Sequence, residues 1–169
     1  MVWSGFLRFM PLLGLSGPGR GRTANVRAQI VLRLLVMYSV TKQIEFCYGH
    51  RLLDYDGMCK HPHGHNAVAE IEVRAESLDG RNMVVDFGDI KRLIKEWVFR
   101  ELDHRMILRH DDPLTHVLQG MGEPVYVLDS NPTAERIARL VFEIARDHGL
   151  PVSKVTLWET PSSWATYVG

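Results

Sequence analysis

Cys59-Lys60-His61-Pro62-His63-Gly64-His65 runs without a break into Asn66-Ala67-Val68-Ala69-Glu70-Ile71-Glu72-Val73-Arg74-Ala75, and the reading of this stretch decides the fold. Ala67, Ala69, Ile71, Val73 and Ala75 alternate with Glu70, Glu72, Arg74 and Glu76. That period belongs to a strand with one face buried and the other wet. His63 and His65 share the parity of the buried face, so they extend it and project to one side, as ligands of a shared metal must. Upstream, Ser39 to Gly49 is also strand-like. Ile44, Phe46, Tyr48 and His50 have one parity there, which places His50 at the end of an apolar face. Asp54, Asp56 and Gly57 mark Leu52 to Met58 as the loop between the two strands.

Moving outward, Asp79-Gly80 marks a turn, after which Met83 to Phe87 can return as an antiparallel partner. Ile90, Leu93, Ile94, Trp97, Val98 and Leu102 repeat at helical spacing, with Asp86 or Asp89 available as a cap and Asp103-His104 at the end. Residues 105–123 read as irregular, broken by Asp111-Asp112-Pro113 and by Gly120 to Gly122, and Pro124 to Leu128 as a short strand. Asn131-Pro132 predicts a helix start, with Asn131 as cap and Pro132 in the first turn. Its apolar stripe is Ala134, Ile137, Ala138, Val141, Ile144 and Ala145, and Gly149 and Pro151 end it. Val152 to Glu159 and a segment near Thr166-Tyr167-Val168 complete the set as strands. The expectation is an α+β fold in ββααββ order, a four-stranded antiparallel sheet with two helices on one face.

The 169 residues suffice for one domain with a real core, and a formal net charge of zero supplies no global field for nucleic acid or a membrane surface. No apolar run approaches the length of a membrane span. Residues 1–44 hold no Asp or Glu, so all the acidic side chains lie from Glu45 onward and that part is net negative. Residues 1–36 combine apolar stretches with a Gly/Pro/Arg-rich segment; an acid-free, Arg-containing start of this kind reads as an organelle transit peptide, an imperfect signal sequence or, the reading preferred, a disordered N-terminal extension outside the fold, leaving 37–169 as the domain. Two cysteines, Cys47 and Cys59, form no disulfide framework and favour a reducing, cytoplasmic setting.

Zinc accepts neutral imidazole, and three protein ligands with one open position is the pattern of a catalytic centre. His50, His63 and His65 meet that pattern if their strands are neighbours. His61 has the same parity but precedes Pro62 and is left outside the ligand set. Cys59 admits three readings: a fourth ligand, a small buried hydrophobe, or a thiol made acidic by a nearby cation and imidazoles. The last is adopted here. Asp103-His104 is either a carboxylate-oriented imidazole able to exchange a proton with that thiol or a helix-end histidine favoured by the macrodipole. Glu159 ends an apolar strand face. It can accept from adjacent N–H donors of a planar heterocycle such as a pterin or guanine, or serve as a structural carboxylate. Glu135 reads as a first-turn helix residue. Arg51, Lys60 and Arg105 are candidates for phosphate contact or plain solvated charges.

Taken in order, several stretches resemble the 6-pyruvoyl-tetrahydropterin synthase family, and within it the 6-carboxy-tetrahydropterin synthase branch of queuosine biosynthesis. They are Phe46-Cys47-Tyr48-Gly49-His50-Arg51-Leu52, Cys59 to Asn66, Val85-Asp86-Phe87-Gly88-Asp89-Ile90-Lys91, Leu102-Asp103-His104-Arg105, Asn131-Pro132-Thr133-Ala134-Glu135 and Trp158-Glu159-Thr160. The resemblance implies a zinc ion on His50, His63 and His65, a catalytic relay of Cys59, Asp103 and His104, and pterin anchoring by Glu159. It implies the tunnelling fold, in which subunits join their sheets into an oligomeric barrel, commonly a hexamer, with active sites between subunits. The implied substrate is 7,8-dihydroneopterin triphosphate, which loses triphosphate and, in the carboxy branch, acetaldehyde. The rival within the family is a pyruvoyl-tetrahydropterin synthase, which eliminates triphosphate only. A rival of another class is a non-catalytic zinc-binding oligomerisation protein. The three residues between Cys59 and His63 match the carboxy branch, while Tyr48-Gly49 stands where the family carries a small pair.

Overall fold

The computed structural model describes residues 37–169, and its organising unit is one long antiparallel pair. Strands β1 (Tyr38–His50) and β2 (His63–Ala75) are in register from Tyr38 opposite Ala75 to His50 opposite His63. Ile44, Phe46 and Tyr48 on β1 and Ala67, Ala69, Ile71 and Val73 on β2 are buried, as their parity requires. After β2 comes helix α1, made of a helical turn Phe87–Ile90, a π-helical stretch Lys91–Lys95 and an α-helical stretch Glu96–Glu101. Then follow β3 (Arg105–Arg109), α2 (Pro113–Gly120), β4 (Val125–Leu128), α3 (Ala134–Asp147), β5 (Val152–Thr160) and β6 (Ser163–Val168). Ile90, Ile94 and Val98 from α1 and Ile137, Val141 and Ala145 from α3 join the inward side chains of β1, β2 and β5 in one core. Each fully buried Ile or Val among them contributes about 1.5–3 kcal/mol by leaving water. Among the described residues no helix is long and apolar enough to cross a membrane.

The α+β class holds, but the four-stranded antiparallel sheet with two helices in ββααββ order is corrected. The sheet has six strands in the order β4-β3-β1-β2-β5-β6. It is mixed, because β3 runs parallel to β1 and β4 parallel to β3. The unexpected elements, β3 and α2, come from the stretch read as irregular, whereas β4 is the short strand expected at Pro124 to Leu128. In β3, Ile107 and Leu108 are both buried, so this short strand shows no alternation to read. Asp112-Pro113 is a helix start rather than a breaker: the Asp112 carboxylate accepts from Leu114 N at 2.8 Å, and Pro113 opens α2. Met83 to Phe87 does not return as a strand. The Asp79 carboxylate accepts from Arg81 N and Met83 N, curling the chain, and Asp86 caps α1 through Gly88 N. At the last helix the cap is Thr133, not Asn131, and the first helical residue is Ala134. The expectation for residues 1–36 lies outside the described residues.

Candidate metal centre and its surroundings

His50 is the last residue of β1 and His63 the first of β2, and the register makes them direct cross-strand partners. His65, two residues on, falls on the same face. The three imidazoles pack with ring centroids 4.5, 5.1 and 5.2 Å apart, and each offers a ligand atom within 4.8 Å of the others. The backbone decides which nitrogen is free. A carbonyl only accepts, so His50 Nδ1–H donates to Pro132 O at 2.7 Å and His63 Nδ1–H donates to His61 O at 2.8 Å. Both rings therefore present Nε2 as a lone pair. His61 thus serves the site through its carbonyl, not its ring.

The fit to a metal rests on what the fold leaves over. Nε2 of His50 and Nε2 of His65 are buried without any hydrogen-bond partner. Leaving such an atom unpaired costs about 1–3 kcal/mol, and three imidazole nitrogens facing one point suit a divalent cation of the zinc kind. Burial lowers the His50 pKa. The nearby His63 and His65 rings add a smaller effect in the same direction, against the Pro132 carbonyl and Glu159. A neutral ring is the ligand form.

Glu159 reaches the same place from β5. Between Trp158, paired with Trp164, and Thr160, paired with Ser163, the β5–β6 ladder shifts register, and Glu159 is the extra residue. A bulge of this kind re-aims a side chain. One carboxylate oxygen lies 3.8 Å from His50 Nε2 and 3.9 Å from His65 Nε2, and accepts from the Tyr48 hydroxyl at 2.6 Å. Burial, and then the adjacent Glu159 carboxylate, push the Tyr48 pKa far up, so it stays a donor. Cys59 sits in the helical turn Met58–Lys60, held to the end of β1 by Leu52 N donating to Cys59 O at 2.9 Å. It lines a cavity of about 360 Å³ together with His50, His63, His65 and Glu159. Glu135, in the first turn of α3, lines it too.

Asp103 and His104 are placed apart from these residues, with Cys47. Cys47 N donates to Asp103 Oδ1 at 2.8 Å, and Asp103 Oδ2 lies 2.9 Å from His104 Nδ1. Burial raises the Asp103 pKa, but the Cys47 amide, the His104 ring and the Cys47 thiol outweigh it and hold the carboxyl below its ordinary range. His104 has a left-handed backbone, φ 57°, and its N–H donates to Cys47 O at 2.8 Å. Such a conformation costs a non-glycine residue about 1–3 kcal/mol and gathers at functional sites. Cys47 has the opposite parity to His50, so this cluster opens on the other face of β1. There Cys47 and His104 line a cavity of about 670 Å³ whose wall includes Met106, Leu118 and Pro124 and which the β2 residues His63 and His65 also border.

Two phosphate candidates are engaged in structure. Arg51 pairs with the buried Asp112, with Nε donating at 2.7 Å, and Arg105 donates to Arg100 O at the end of α1. Sequence reasoning passed over Tyr48, Pro132, Asn131 and Cys47 as parts of these clusters. Only Tyr48 carried a signal, its shared parity with His50.

A mixed sheet that gathers three histidines from two adjoining strands beside a thiol and a carboxylate makes a candidate metal centre inside an α+β domain. The family model of 6-pyruvoyl tetrahydropterin synthase matches residues 39–169, and the chain belongs to that family. The 6-carboxy-5,6,7,8-tetrahydropterin synthase of Rickettsia bellii is 38% identical over 133 residues, covering 75% of this chain and 96% of its own. Its counterpart in Haemophilus influenzae is 30% identical over 139 residues, covering 78% and 99%. Among solved structures, the 6-pyruvoyl tetrahydropterin synthase of Caenorhabditis elegans superposes with a TM-score of 0.60 at 25% identity, over 79% of this chain and 96% of that one. An uncharacterized Wolinella succinogenes protein superposes at 0.70 with 26% identity, over 79% and 98%.

Proposed function

We propose that the chain is a zinc-dependent 6-carboxy-5,6,7,8-tetrahydropterin synthase that converts 7,8-dihydroneopterin triphosphate and one water to 6-carboxytetrahydropterin, acetaldehyde and triphosphate, in the supply of queuosine-type 7-deazaguanines. The observation that carries the reading is the convergence of His50, His63 and His65 with buried, unpartnered Nε2 atoms on His50 and His65. It agrees with curated relatives of this name, 30–38% identical over nearly their whole length.

His50, His63 and His65 would hold the zinc ion, which would supply Lewis acidity toward oxygen atoms of the substrate side chain. Glu159 would accept from the N–H donors of the pterin ring. The Tyr48 hydroxyl on one of its oxygens fixes the rotamer and leaves the other oxygen for the ring. Cys59, on the wall of the same cavity, would take and return a proton at the substrate side chain. Asp103, by holding His104 Nδ1, leaves His104 Nε2 to exchange a proton. Because the pair opens on the other face of β1, it would serve the Cys59 of a neighbouring copy, in keeping with a barrel-forming homohexamer. A cytoplasmic setting suits Cys47 and Cys59, both free thiols.

The test is to incubate purified, zinc-loaded protein with 7,8-dihydroneopterin triphosphate and analyse the products. Acetaldehyde in step with triphosphate supports the carboxy synthase. Triphosphate without acetaldehyde supports the pyruvoyl synthase named for the Caenorhabditis neighbour. Neither product would leave a non-catalytic zinc-binding oligomer.

A further inference from the structure

Asn131-Pro132 has the form of a helix start, yet Thr133 does the capping, accepting from Arg136 N. The two residues ahead of it face the other way, toward the end of β1. Asn131 Oδ1 accepts from Leu53 N at 2.9 Å, and Asn131 Nδ2 donates to Leu53 O at 2.9 Å. A side-chain amide here makes the two-point pairing that a neighbouring strand would make. One residue on, Pro132 O accepts from His50 Nδ1 at 2.7 Å. Asn131 O also accepts from Thr133 N at 2.9 Å, which curls the backbone around Pro132 and helps aim its carbonyl.

We propose that Asn131 is a positioning residue for the metal centre: by clasping Leu53 it holds the Pro132 carbonyl against His50 and so fixes the ring, and its Nε2-free tautomer, before any metal arrives. This rests on the reading of His50, His63 and His65 as the metal ligands.

The position explains the need. His50 ends its strand, and the pair with His63 is the last rung of the ladder. Beyond it the chain leaves the sheet and turns at Asp54, φ 59°. The ring is buried against Tyr48, His63 and His65, but packing alone does not decide which of its nitrogens carries the proton; a hydrogen-bond partner outside the strand does. His63 finds its carbonyl acceptor two residues away, in its own chain segment. For His50 the acceptor is 82 residues away in sequence, so it must be delivered by tertiary structure. Asn131 is the part that delivers it. Aspartate at this position would still accept from Leu53 N, but its second oxygen would confront Leu53 O. Partners of this kind, behind a metal-bound histidine, are worth about 10–100-fold in metal affinity.

The experiment compares wild type, Asn131→Asp and Asn131→Ala with Thr133→Ala, which removes the helix cap but leaves the clasp. Zinc dissociation is followed with a chromophoric chelator well below each melting temperature. Nitrogen-15 spectra of the imidazoles are recorded on metal-free protein. Zinc should leave both Asn131 variants about 10–100-fold faster, and Thr133→Ala should stay within about twofold while losing melting temperature. In metal-free wild type, His50 should be the Nδ1–H tautomer, and in Asn131→Asp a mixture. Unchanged zinc dissociation in folded Asn131→Asp, or an equal loss in Thr133→Ala, overturns the proposal. So does an Nε2–H His50 in the wild-type protein, which needs no variant to fold. Wild-type protein that takes up no zinc but keeps the Nδ1–H tautomer would refute the metal reading and leave the clasp standing.

Discussion

The two clusters of chemistry in this molecule sit on opposite faces of β1, and they differ in what the fold leaves unfinished. At His50, His63 and His65 the backbone occupies Nδ1 of two rings and nothing occupies the buried Nε2 atoms of His50 and His65. At Cys47, Asp103 and His104 both carboxylate oxygens are already used, and the His104 side chain is 79% exposed, so water satisfies its free nitrogen. The first cluster carries an unmet cost of about 1–3 kcal/mol for each orphaned nitrogen, which a cation removes. The second carries no such cost. It is finished as a carboxylate-held imidazole, suited to passing protons rather than to binding a metal. Nearby residues of a single strand thus belong to a cluster with orphaned buried nitrogens on one face and to a carboxylate-held imidazole on the other.

The harshest way to break that comparison is His63→Ala. It removes one of three ligands and should abolish stoichiometric zinc. Turnover should fall by on the order of 10³-fold, the few kcal/mol that a Lewis acid supplies. Metal analysis and steady-state kinetics read it out, and a variant that keeps one zinc per chain would show that the triad is not the ligand set. Next comes a contrast between the two thiols. Cys59→Ala should keep zinc and lose about 10²–10⁴-fold in turnover, the worth of a general acid–base group. Cys47→Ala should lose less than about tenfold, since the backbone amide still holds Asp103 and only a thiol hydrogen bond goes. The reverse ranking would move the working thiol to the exposed cluster.

How much of this was legible depended on whether a residue acts through its own sequence period. The triad was readable because parity alone puts His50, His63 and His65 at the ends of buried faces, and the observed register agrees. The site of Glu159 was half readable. Its parity with Val155 and Leu157 places it on the core face, but the bulge that aims it depends on β6 pairing, which no local pattern announces. The short strand expected at Pro124 to Leu128 is β4, but β3 and α2 escape the sequence, because Asp112-Pro113 looks like a breaker until Leu114 N is seen to bond the carboxylate. The same grammar at Asn131-Pro132 misled in the opposite direction, since those residues serve β1 and the cap lies one step on. Cap and breaker use the same residue types, and only long-range partners separate them. The closeness of Cys47 to Asp103 spans 56 residues of sequence and left no trace in either local pattern.

The mildest test sharpens the comparison by asking which brace the metal cluster depends on. Arg51 follows His50 and pairs with Asp112, which is fully buried and also caps α2. The Arg51 guanidinium, with help from the Leu114 amide and against a smaller desolvation effect, holds the Asp112 carboxyl below its ordinary range. A folded-state pKa below the unfolded value of about 3.9 makes a contribution that is fully present above that value. It is lost as pH falls through the folded pKa. Asp112→Asn should therefore cost about 1–3 kcal/mol at pH 7, a charged hydrogen-bonded pair reduced to a neutral one. The gap from wild type should close below about pH 4, as followed by urea unfolding across pH. Zinc dissociation should stay within about twofold, because the clasp from Asn131 and Pro132, not the ion pair, holds the His50 ring. A large rise in zinc dissociation in Asp112→Asn, with Asn131 intact, would shift the support of His50 from the α3 start to the α2 start. The buried cluster would then be braced through the same added segment, residues 105–128, that walls the cavity beside His104.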